Sequence, residues 1–340
     1  MTRLIVRSCG PMTSLQDAGR VGWRRFGVSS SGAMDRLALA HANVLVGNGP
    51  GAAGIEMTLM GGLYEAADEM VRLAVAGAPA AVSAAGRPVA PGTSVTLKPG
   101  ETLSVGPAQA GVFMYLAVAG GLAVPPELDS LSLHPRAGIG GLHGRPLRAG
   151  DELPLRDIAP AGPELALDPV LLDPDAPIRV VLGPQADYFG EEAVAAFLDT
   201  SYVVSPEADR MGYRLAGPPI AHLHGFNIVS DGIVAGSVQV PGSGVPIVMM
   251  VDHQTTGGYP KIATVITPDL RILAQRRPGA PVRFRAIPIE EAQELARAYA
   301  DCIANLSRAA KPIRGVVPDV EALLGLNLAG HASNALAPEP

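Results

Sequence analysis

The segment 252–261 holds most of the side chains in this sequence that could act on a small molecule. Its ten residues supply both charge signs, an amide, several hydroxyls and no ordinary aliphatic side chain. The apolar runs 246–251 and 262–266 flank it and predict two buried strands. Polar groups anchored between buried strands need hydrogen-bonding partners, and a bound ligand can supply them.

Within this segment, Asp252 and Lys261 provide opposite charges and Tyr259 provides a phenol. Such a set suits a small ligand with carbonyl, amide or carboxylate groups, because it can polarise a carbonyl and shuttle a proton. The substrate-binding candidates of the segment are Gln254, Thr255, Thr256, Gly257 and Gly258. The two glycines would let a ligand approach the backbone closely. The alternative is a polar turn whose groups satisfy one another.

Candidate residues also occur outside this segment. Gln239 lies just upstream and would line the site from a neighbouring strand. Arginine is the usual clamp for a carboxylate, so Asp209 and Arg210 form a second binding candidate, with a surface salt bridge as the alternative. The N-terminal candidate set is Gln16, Asp17, Arg20, Ser31 and Asp35.

Many short strands are predicted to position these residues. Gly 40 and Pro 32 in a chain of 340 residues indicate frequent turns, and apolar runs rich in valine and leucine lie between the turns. A helical apolar pattern over 34–45 predicts a helix with Ser31 as its N-cap. A second long helix is predicted from about Glu290. The sequence therefore predicts a mainly β fold with a few helices.

The predicted organisation has two β-rich parts. We expect an N-terminal subdomain over 1–156, a linker over 157–177, and a C-terminal subdomain over 178–307 that ends in a helix. The tail 308–340 is expected to be partly disordered. Each half passes from a strand through a polar segment and a helix to several short strands, which predicts an internal duplication.

Composition and charge exclude several classes of protein. A net charge of −6 without a basic patch argues against nucleic-acid binding. No apolar run has the length of a membrane span, so no membrane partner is expected. Cys9 and Cys302 give no disulfide framework, which predicts a cytoplasmic protein. His222 and His224 lack further ligands at a familiar spacing, so no metal site is predicted.

Six short motifs follow one another in a fixed order. They cover residues 13–20, 31–35, 42–48, 209–215, 239–241 and 252–259. Together they resemble the KipA/PxpC family, over about residues 4–286. Members of that family are described as the C subunit of 5-oxoprolinase, as biotin-dependent carboxyltransferase family proteins, or as allophanate hydrolase subunit 2-like.

The resemblance implies a fold, partners and an activity. The fold would be two cyclophilin-like β subdomains, and the partners a KipI/PxpB-like subunit and a PxpA-like subunit. The chain would be an amide hydrolase subunit, active only in a complex that uses ATP to open 5-oxoproline to glutamate. One alternative is the carboxyltransferase component of a biotin-dependent urea or amide carboxylase. Another is a non-catalytic regulator that antagonises a KipI-like kinase inhibitor.

The resemblance also implies roles for individual residues. Lys261 or Tyr259 would stabilise an oxyanion, while Asp252 would orient a donor or accept a proton from an amide N–H. The chain departs from the family at 129–133, where the family reads near Gly-Ser-Arg-Ser-Thr and this sequence reads Asp-Ser-Leu-Ser-Leu. If that loop contacts substrate or partner, the missing arginine and threonine predict altered specificity or reduced activity.

Overall fold

The computed structural model describes residues 2–156, 162–170 and 172–313. The strands of the first half are β1 (Arg3–Cys9), β2 (Ser14–Gln16), β3 (Gly54–Thr58), β4 (Gly62–Ala66), β5 (Val71–Gly77), β6 (Ala80–Ala84), β7 (Arg87–Pro88), β8 (Ser94–Leu97), β9 (Thr102–Ala108), β10 (Phe113–Val118) and β11 (Glu152–Pro154). Those that follow are β12 (Leu165–Ala166), β13 (Ile178–Leu182), β14 (Tyr202–Val204), β15 (Gly212–Ala216), β16 (Asp231–Gly232), β17 (Ser237–Gln239), β18 (Ile247–Met249), β19 (Thr256–Gly257), β20 (Lys261–Val265), β21 (Pro281–Val282), β22 (Phe284–Ala286) and β23 (Lys311–Pro312). The α-helices are α1 (Arg36–Leu45), α2 (Glu191–Asp199), α3 (Leu270–Ala274) and α4 (Ile289–Asn305). Short 3-10 helices cover Arg24–Phe26, Ala186–Tyr188, Thr267–Asp269 and Leu306–Ala309.

The two halves carry separate sheets. The first half has a six-stranded sheet, β11-β1-β4-β9-β6-β7, and a five-stranded sheet, β2-β3-β10-β5-β8. The second half has an eight-stranded sheet, β21-β14-β15-β18-β17-β20-β13-β22. Its pairings are antiparallel except that of β13 with β22. The prediction of a mainly β chain with a few helices is confirmed.

Strand β10 shows how the core joins the halves. All six of its residues are buried, because both faces of the strand are covered. Met114, Leu116 and Val118 pack in a core cluster of the first half alone. The alternate residues Phe113, Tyr115 and Ala117 belong to a second cluster, which extends through α1 into the strands of the second half. Helix α1 is buried along nearly its whole length and is therefore apolar on most sides.

The N-cap prediction for α1 is wrong. Asp35 caps the helix, and its carboxylate accepts a hydrogen bond from the Ala38 N–H at 3.1 Å. Ser31 lies four residues earlier, with a φ of 51°, so its backbone is not in the extended conformation of an N-cap. The helix therefore begins four residues, about one helical turn, later than predicted.

The predicted linker and tail lie partly outside the described residues. Residues 157–161, 171 and 314–340 are not described. Strand β12, inside the predicted linker, pairs with β23, inside the predicted tail. The domain boundaries stay predictions. Among the described residues, no helix has both the length and the apolar character to cross a membrane.

Candidate active site

The segment 252–261 crosses from one end of a strand to the other. Strand β17 lies between β18 and β20 in the sheet. At the start of β17, Gly236 N–H donates to the Met249 carbonyl at 2.7 Å. At its end, Gln239 pairs with Lys261. Asp252 and Lys261 therefore lie at opposite ends of β17 and belong to two different clusters.

The first cluster lies where the two halves meet. We call it the junction cluster, and it consists of Asp17, Arg20, Glu56, Arg210 and Asp252. Its central cation is Arg210, whose Nε donates to Asp252 Oδ2 at 2.8 Å and whose Nη1 donates to the Glu56 carboxylate. All three side chains are buried. Burial alone would lower the pKa of Arg210, but the carboxylates of Asp252 and Glu56 raise it above its ordinary value.

Glu56 extends these contacts towards α1. Its Oε2 accepts hydrogen bonds from the Tyr115 hydroxyl at 2.7 Å and from the Met34 N–H at 2.9 Å. The Tyr115 oxygen in turn accepts from the Asp35 N–H at 2.7 Å. Burial raises the pKa of Tyr115, and the negative charge of Glu56 adds to that effect. The phenol is therefore held in its protonated form, in which it donates to Glu56.

Asp17 organises the loop that departs from the family pattern. Its carboxylate accepts hydrogen bonds from the hydroxyls of Ser130 and Ser132, both at 2.6 Å. It also accepts from the Leu131 N–H at 2.6 Å and from the Gly19 N–H at 2.8 Å. The two serines that the chain shares with the family pattern are thus the loop residues whose side chains contact Asp17.

Arg20 is fully buried beside this loop. Its Nε donates to the Glu127 carbonyl at 3.2 Å, and its Nη2 donates to the Ser132 carbonyl. Its Nη1 is buried and has no hydrogen-bond partner in the described part of the chain. Burial lowers the pKa of Arg20, while Asp17, Glu127 and Asp252 oppose that shift. Arg20 therefore brings a second buried cation to the carboxylates of the junction cluster.

Ser31 of the N-terminal candidate set and its neighbour Ser29 pack on the start of the polar segment. Ser31 N–H donates to the Val251 carbonyl at 3.1 Å, and Ser29 Oγ donates to the His253 carbonyl at 2.9 Å. Gln16 instead faces the loop at 130–133, where its Nε2 donates to the Leu133 carbonyl at 3.1 Å. Of the N-terminal set, the structure thus brings Ser31 and Arg20 near Asp252.

The second cluster lies at the other end of β17. We call it the Lys261 cluster, and it consists of Gln185, Asp231, Gln239, Tyr259 and Lys261. The buried Lys261 ammonium donates to Asp231 Oδ2 at 2.7 Å and to the Gly232 carbonyl at 3.3 Å. Gln185 Nε2 donates to the same Asp231 oxygen at 3.2 Å. Hydrogen bonds from Lys261, the Gly232 N–H and Gln185 lower the pKa of the exposed Asp231.

The rest of the polar segment covers this cluster and reaches solvent. Gln239 Nε2 donates to the Tyr259 carbonyl at 3.5 Å, and the Tyr259 side chain is 41% exposed. A Cβ at Gly257 would lie 2.5 Å from Ile233 Cδ1 and 2.7 Å from Gln239 Nε2, so glycine permits this close packing. The other candidates of the segment are at least partly accessible: Gln254, Thr255, Thr256 and Gly258. This surface is open to a small ligand or to a partner.

Asp209 and Arg210 do not pair with each other. Asp209 is exposed, and its Oδ2 accepts from Arg136 Nη2 at 2.9 Å. Its Oδ1 accepts from the Met211 N–H at 2.8 Å and so holds the turn before β15. Of the two neighbours, only Arg210 enters the junction cluster.

The two histidines considered as metal ligands have other contacts. His222 Nε2 lies 3.0 Å from the Val240 carbonyl, and its ring packs 5.2 Å from the Phe189 ring. The His224 ring lies edge-on to Tyr188 at 6.0 Å. In the part of the chain that the structure describes, no three His, Cys, Asp or Glu side chains are arranged to hold a metal ion.

Several residues in or beside these clusters were not predicted from the sequence. Glu56 and Tyr115 lie in buried strands. The carboxylate of Glu56 within the apolar run of β3 is the sequence feature that could have identified Glu56 as a candidate. Asp231 and Gln185 lie in segments without a distinguishing pattern, so their contacts with Lys261 depend on tertiary structure.

Comparisons with known proteins agree with this architecture. The model of the family "Carboxyltransferase domain, subdomain A and B" matches residues 26–286. The C subunit of 5-oxoprolinase from Escherichia coli is 40% identical over 288 residues, which are 85% of this chain and 92% of that protein. The protein of the same name from Haemophilus influenzae is 38% identical over 84% of this chain and 91% of that protein.

A solved structure extends the comparison to the fold. The urea amidolyase of Kluyveromyces lactis superposes with a TM-score of 0.82 at 29% identity, over 89% of this chain. This chain spans only 20% of that much longer protein. The resemblance inferred from the six motifs is confirmed, and the chain belongs to the family of carboxyltransferase domains with subdomains A and B.

Proposed function

We propose that this chain is a subunit of an ATP-dependent 5-oxoprolinase. The observation that carries the proposal is the 38–40% identity to two proteins named as the C subunit of 5-oxoprolinase, through nine-tenths of the length of each. In the reaction, water adds across the lactam C–N bond of 5-oxoproline and gives glutamate, while ATP is hydrolysed. The complex as a whole uses the ATP, and we assign no ATP contact to this chain.

The Lys261 cluster suits the reacting amide. An ammonium group has three donors. Among the described residues, Asp231 and the Gly232 carbonyl take two of those on Lys261, which leaves one for a substrate carbonyl oxygen. Charge that develops on that oxygen during water attack would be stabilised by the nearby cation. The exposed Tyr259 hydroxyl is the second candidate donor.

Asp252 makes a structural contact that its sequence position alone does not predict. Its carboxylate is buried and paired with Arg210, so its described contacts position the junction between the two halves. The role of Asp252 as a proton acceptor for an amide N–H stays a prediction. To accept a proton, Asp252 would have to give up one of its two hydrogen bonds from Arg210.

We further propose that activity needs the KipI/PxpB-like subunit and a PxpA-like subunit. Both 5-oxoprolinase relatives are named as one subunit of an enzyme, which supports an assembly of several chains. The open surface around Tyr259 and Gln254 leaves room for a partner to close the site. We expect the complex to be cytoplasmic.

A carboxyltransferase role is the second candidate, supported by the fold similarity to urea amidolyase. It would require carboxybiotin as donor, carried by another part of the assembly. A third candidate, a regulator that antagonises a KipI-like kinase inhibitor, would need no reaction. Neighbouring genes separate the three: a PxpA-like gene favours hydrolysis, a biotin carboxylase favours carboxyl transfer, and a sensor kinase favours regulation.

The decisive experiment is reconstitution. The chain is co-purified with its KipI/PxpB-like partner, the PxpA-like subunit is added, and glutamate release from 5-oxoproline is measured with and without ATP. We expect ATP-dependent glutamate only when all three chains are present. Absence of glutamate from the complete, assembled complex would reject the hydrolase proposal.

A further inference from the structure

A cleft of about 200 Å³ lies beside the first turn of α1, outside both clusters. Both halves contribute to its walls. Its apolar side is formed chiefly by Met34, Met250 and Leu270, and its polar side by Arg36, Arg271 and Tyr299. The volume equals that of several water molecules, which is enough for a small cyclic compound.

Arg271 is the most unusual residue of this cleft, since it is a buried cation with free donors. The residue is 9% exposed, and its Nε donates to Asp35 Oδ1 at 2.9 Å. The other Asp35 oxygen accepts from Gln275 Nε2 at 3.2 Å. Within the described residues nothing accepts a hydrogen bond from either Nη of Arg271, and these two atoms retain access to the cleft. Asp35 thus holds the Arg271 guanidinium in place through Nε, while the two Nη groups of Arg271 stay available to a ligand.

The charge around the cleft is unbalanced. Arg36 adds a second cation, whose Nη2 donates to the Ala18 carbonyl at 3.0 Å. No aspartate or glutamate among the described residues lines the cleft, and Asp35 behind Arg271 offsets one of the two positive charges. A single negative charge on a ligand would complete the balance, and a carboxylate matches the fork of a guanidinium.

We propose that this cleft binds a small lactam acid, with its carboxylate on Arg271 and Arg36 and its ring against the apolar wall. This inference rests on the proposed function, which supplies 5-oxoproline as such a molecule. It gives the substrate a binding site apart from the Lys261 cluster, where the amide would react. Because both halves form the walls, bound ligand would also hold the halves together.

The test compares 5-oxoproline with 2-pyrrolidone, the same ring without the carboxylate. The complex with its partner subunits is titrated calorimetrically without ATP. We expect Arg271→Gln to weaken 5-oxoproline binding by about 10- to 100-fold, the usual value of a hydrogen-bonded charge, and to leave 2-pyrrolidone unchanged. Ala235→Phe, which fills the cleft without touching an ion pair, should abolish binding of both.

The matched control is Arg179→Gln. Arg179 pairs with the buried Asp269 as Arg271 pairs with Asp35, but it does not line the cleft. The Arg179→Gln protein should therefore bind 5-oxoproline and 2-pyrrolidone with the affinities of the unaltered protein. Wild-type affinity for 5-oxoproline in Arg271→Gln and in Ala235→Phe would overturn the inference, and so would absence of any binding.

The same variants separate this inference from the proposed function. If the complex releases glutamate with an unchanged KM in both cleft variants, the cleft assignment is wrong and the hydrolase proposal stands. If the complex releases no glutamate yet binds 5-oxoproline through Arg271, the cleft assignment stands and the hydrolase proposal falls.

Discussion

Arg210 and Asp252 form a buried, two-point ion pair that joins two family motifs. Arg210 Nε donates to Asp252 Oδ2 at 2.8 Å and Nη2 donates to Oδ1 at 3.2 Å. The same guanidinium reaches Glu56 in the other half of the protein. One arginine therefore balances two buried carboxylates, and the junction between the halves depends on it.

We expect Arg210→Met to lower the free energy of unfolding by about 3–5 kcal/mol or more. The substitution leaves Glu56 and Asp252 buried without a cation, which is the costly way to break a buried pair. Asp252→Asn should cost less, because Glu56 still pairs with Arg210. Urea unfolding measures both.

Arg214→Met is the control for this prediction. Arg214 lies in the same motif but is exposed, and its Nε is 3.4 Å from Glu207. Exposed pairs of this kind contribute about 0–1 kcal/mol. An Arg210→Met protein as stable as Arg214→Met would show that the junction does not depend on the buried charges.

The sequence was sufficient for the fold class because its evidence is local. Glycine and proline turns mark the strand ends, and the uninterrupted apolar run of β10 predicts a strand covered on both faces. The start of α1 was misplaced because Ser31 and Asp35 are both good N-cap residues. Only the turn adopted by the chain, which the contacts of Ser31 with Val251 fix, decides between them.

The candidate site was only partly predictable, because strand order depends on long-range pairing. The sequence gives no sign that β17 separates β18 from β20, so Asp252 and Lys261 look like neighbours in one loop. Arg210 was found as a candidate, but its partner Glu56 lies 154 positions away. Residue type identified the charged groups, while tertiary structure determined which of them meet.

The lowered pKa of His253 predicts that the stability of the protein depends on pH. The His253 ring is buried, and burial lowers its pKa in the folded protein, with the charge of Arg24 adding to that shift. Below the unfolded-state pKa of about 6.5, the unfolded chain therefore binds more protons than the folded chain. Stability should fall as the pH drops from that value towards the lowered pKa, by at most about 1.4 kcal/mol per pH unit for this group.

His253→Gln should make that slope smaller, because glutamine does not titrate. Urea unfolding of both proteins between pH 5 and pH 8 measures it. The difference at pH 8, where histidine is neutral in both states, gives the constant cost of the substitution. His41, whose pKa burial also lowers, keeps its own contribution in both proteins. Equal slopes would contradict the prediction.

Lys261→Met should reduce kcat of the reconstituted complex by roughly 10²–10³-fold, the usual effect of removing an oxyanion donor. Lys98→Met is the control, because Lys98 is exposed and lies in the first half. If Tyr259 supplies the donor instead, Tyr259→Phe will show the large loss and Lys261→Met will not. Full activity in both variants would place the site elsewhere.

The hydrogen bonds of Asp17 predict that this residue stabilises the loop at 129–133. Its carboxylate accepts four hydrogen bonds, three of them from Ser130, Leu131 and Ser132. Asp17→Ala leaves these donors without their acceptor, so we expect a loss of about 3 kcal/mol or more in the free energy of unfolding. Ser130→Ala removes one of the four bonds and should cost about 1–2 kcal/mol.

Amide hydrogen exchange locates the effect of these two substitutions. The Leu131 N–H, bonded to Asp17 at 2.6 Å, should exchange much faster in Asp17→Ala and only slightly faster in Ser130→Ala. Amides of β13 and β20, in the other half, should keep their relative protection. Unchanged exchange at Leu131 in Asp17→Ala would show that packing holds the loop, and not its hydrogen bonds to Asp17. The replacement of the family's arginine by Leu131 would then affect the packing of the loop.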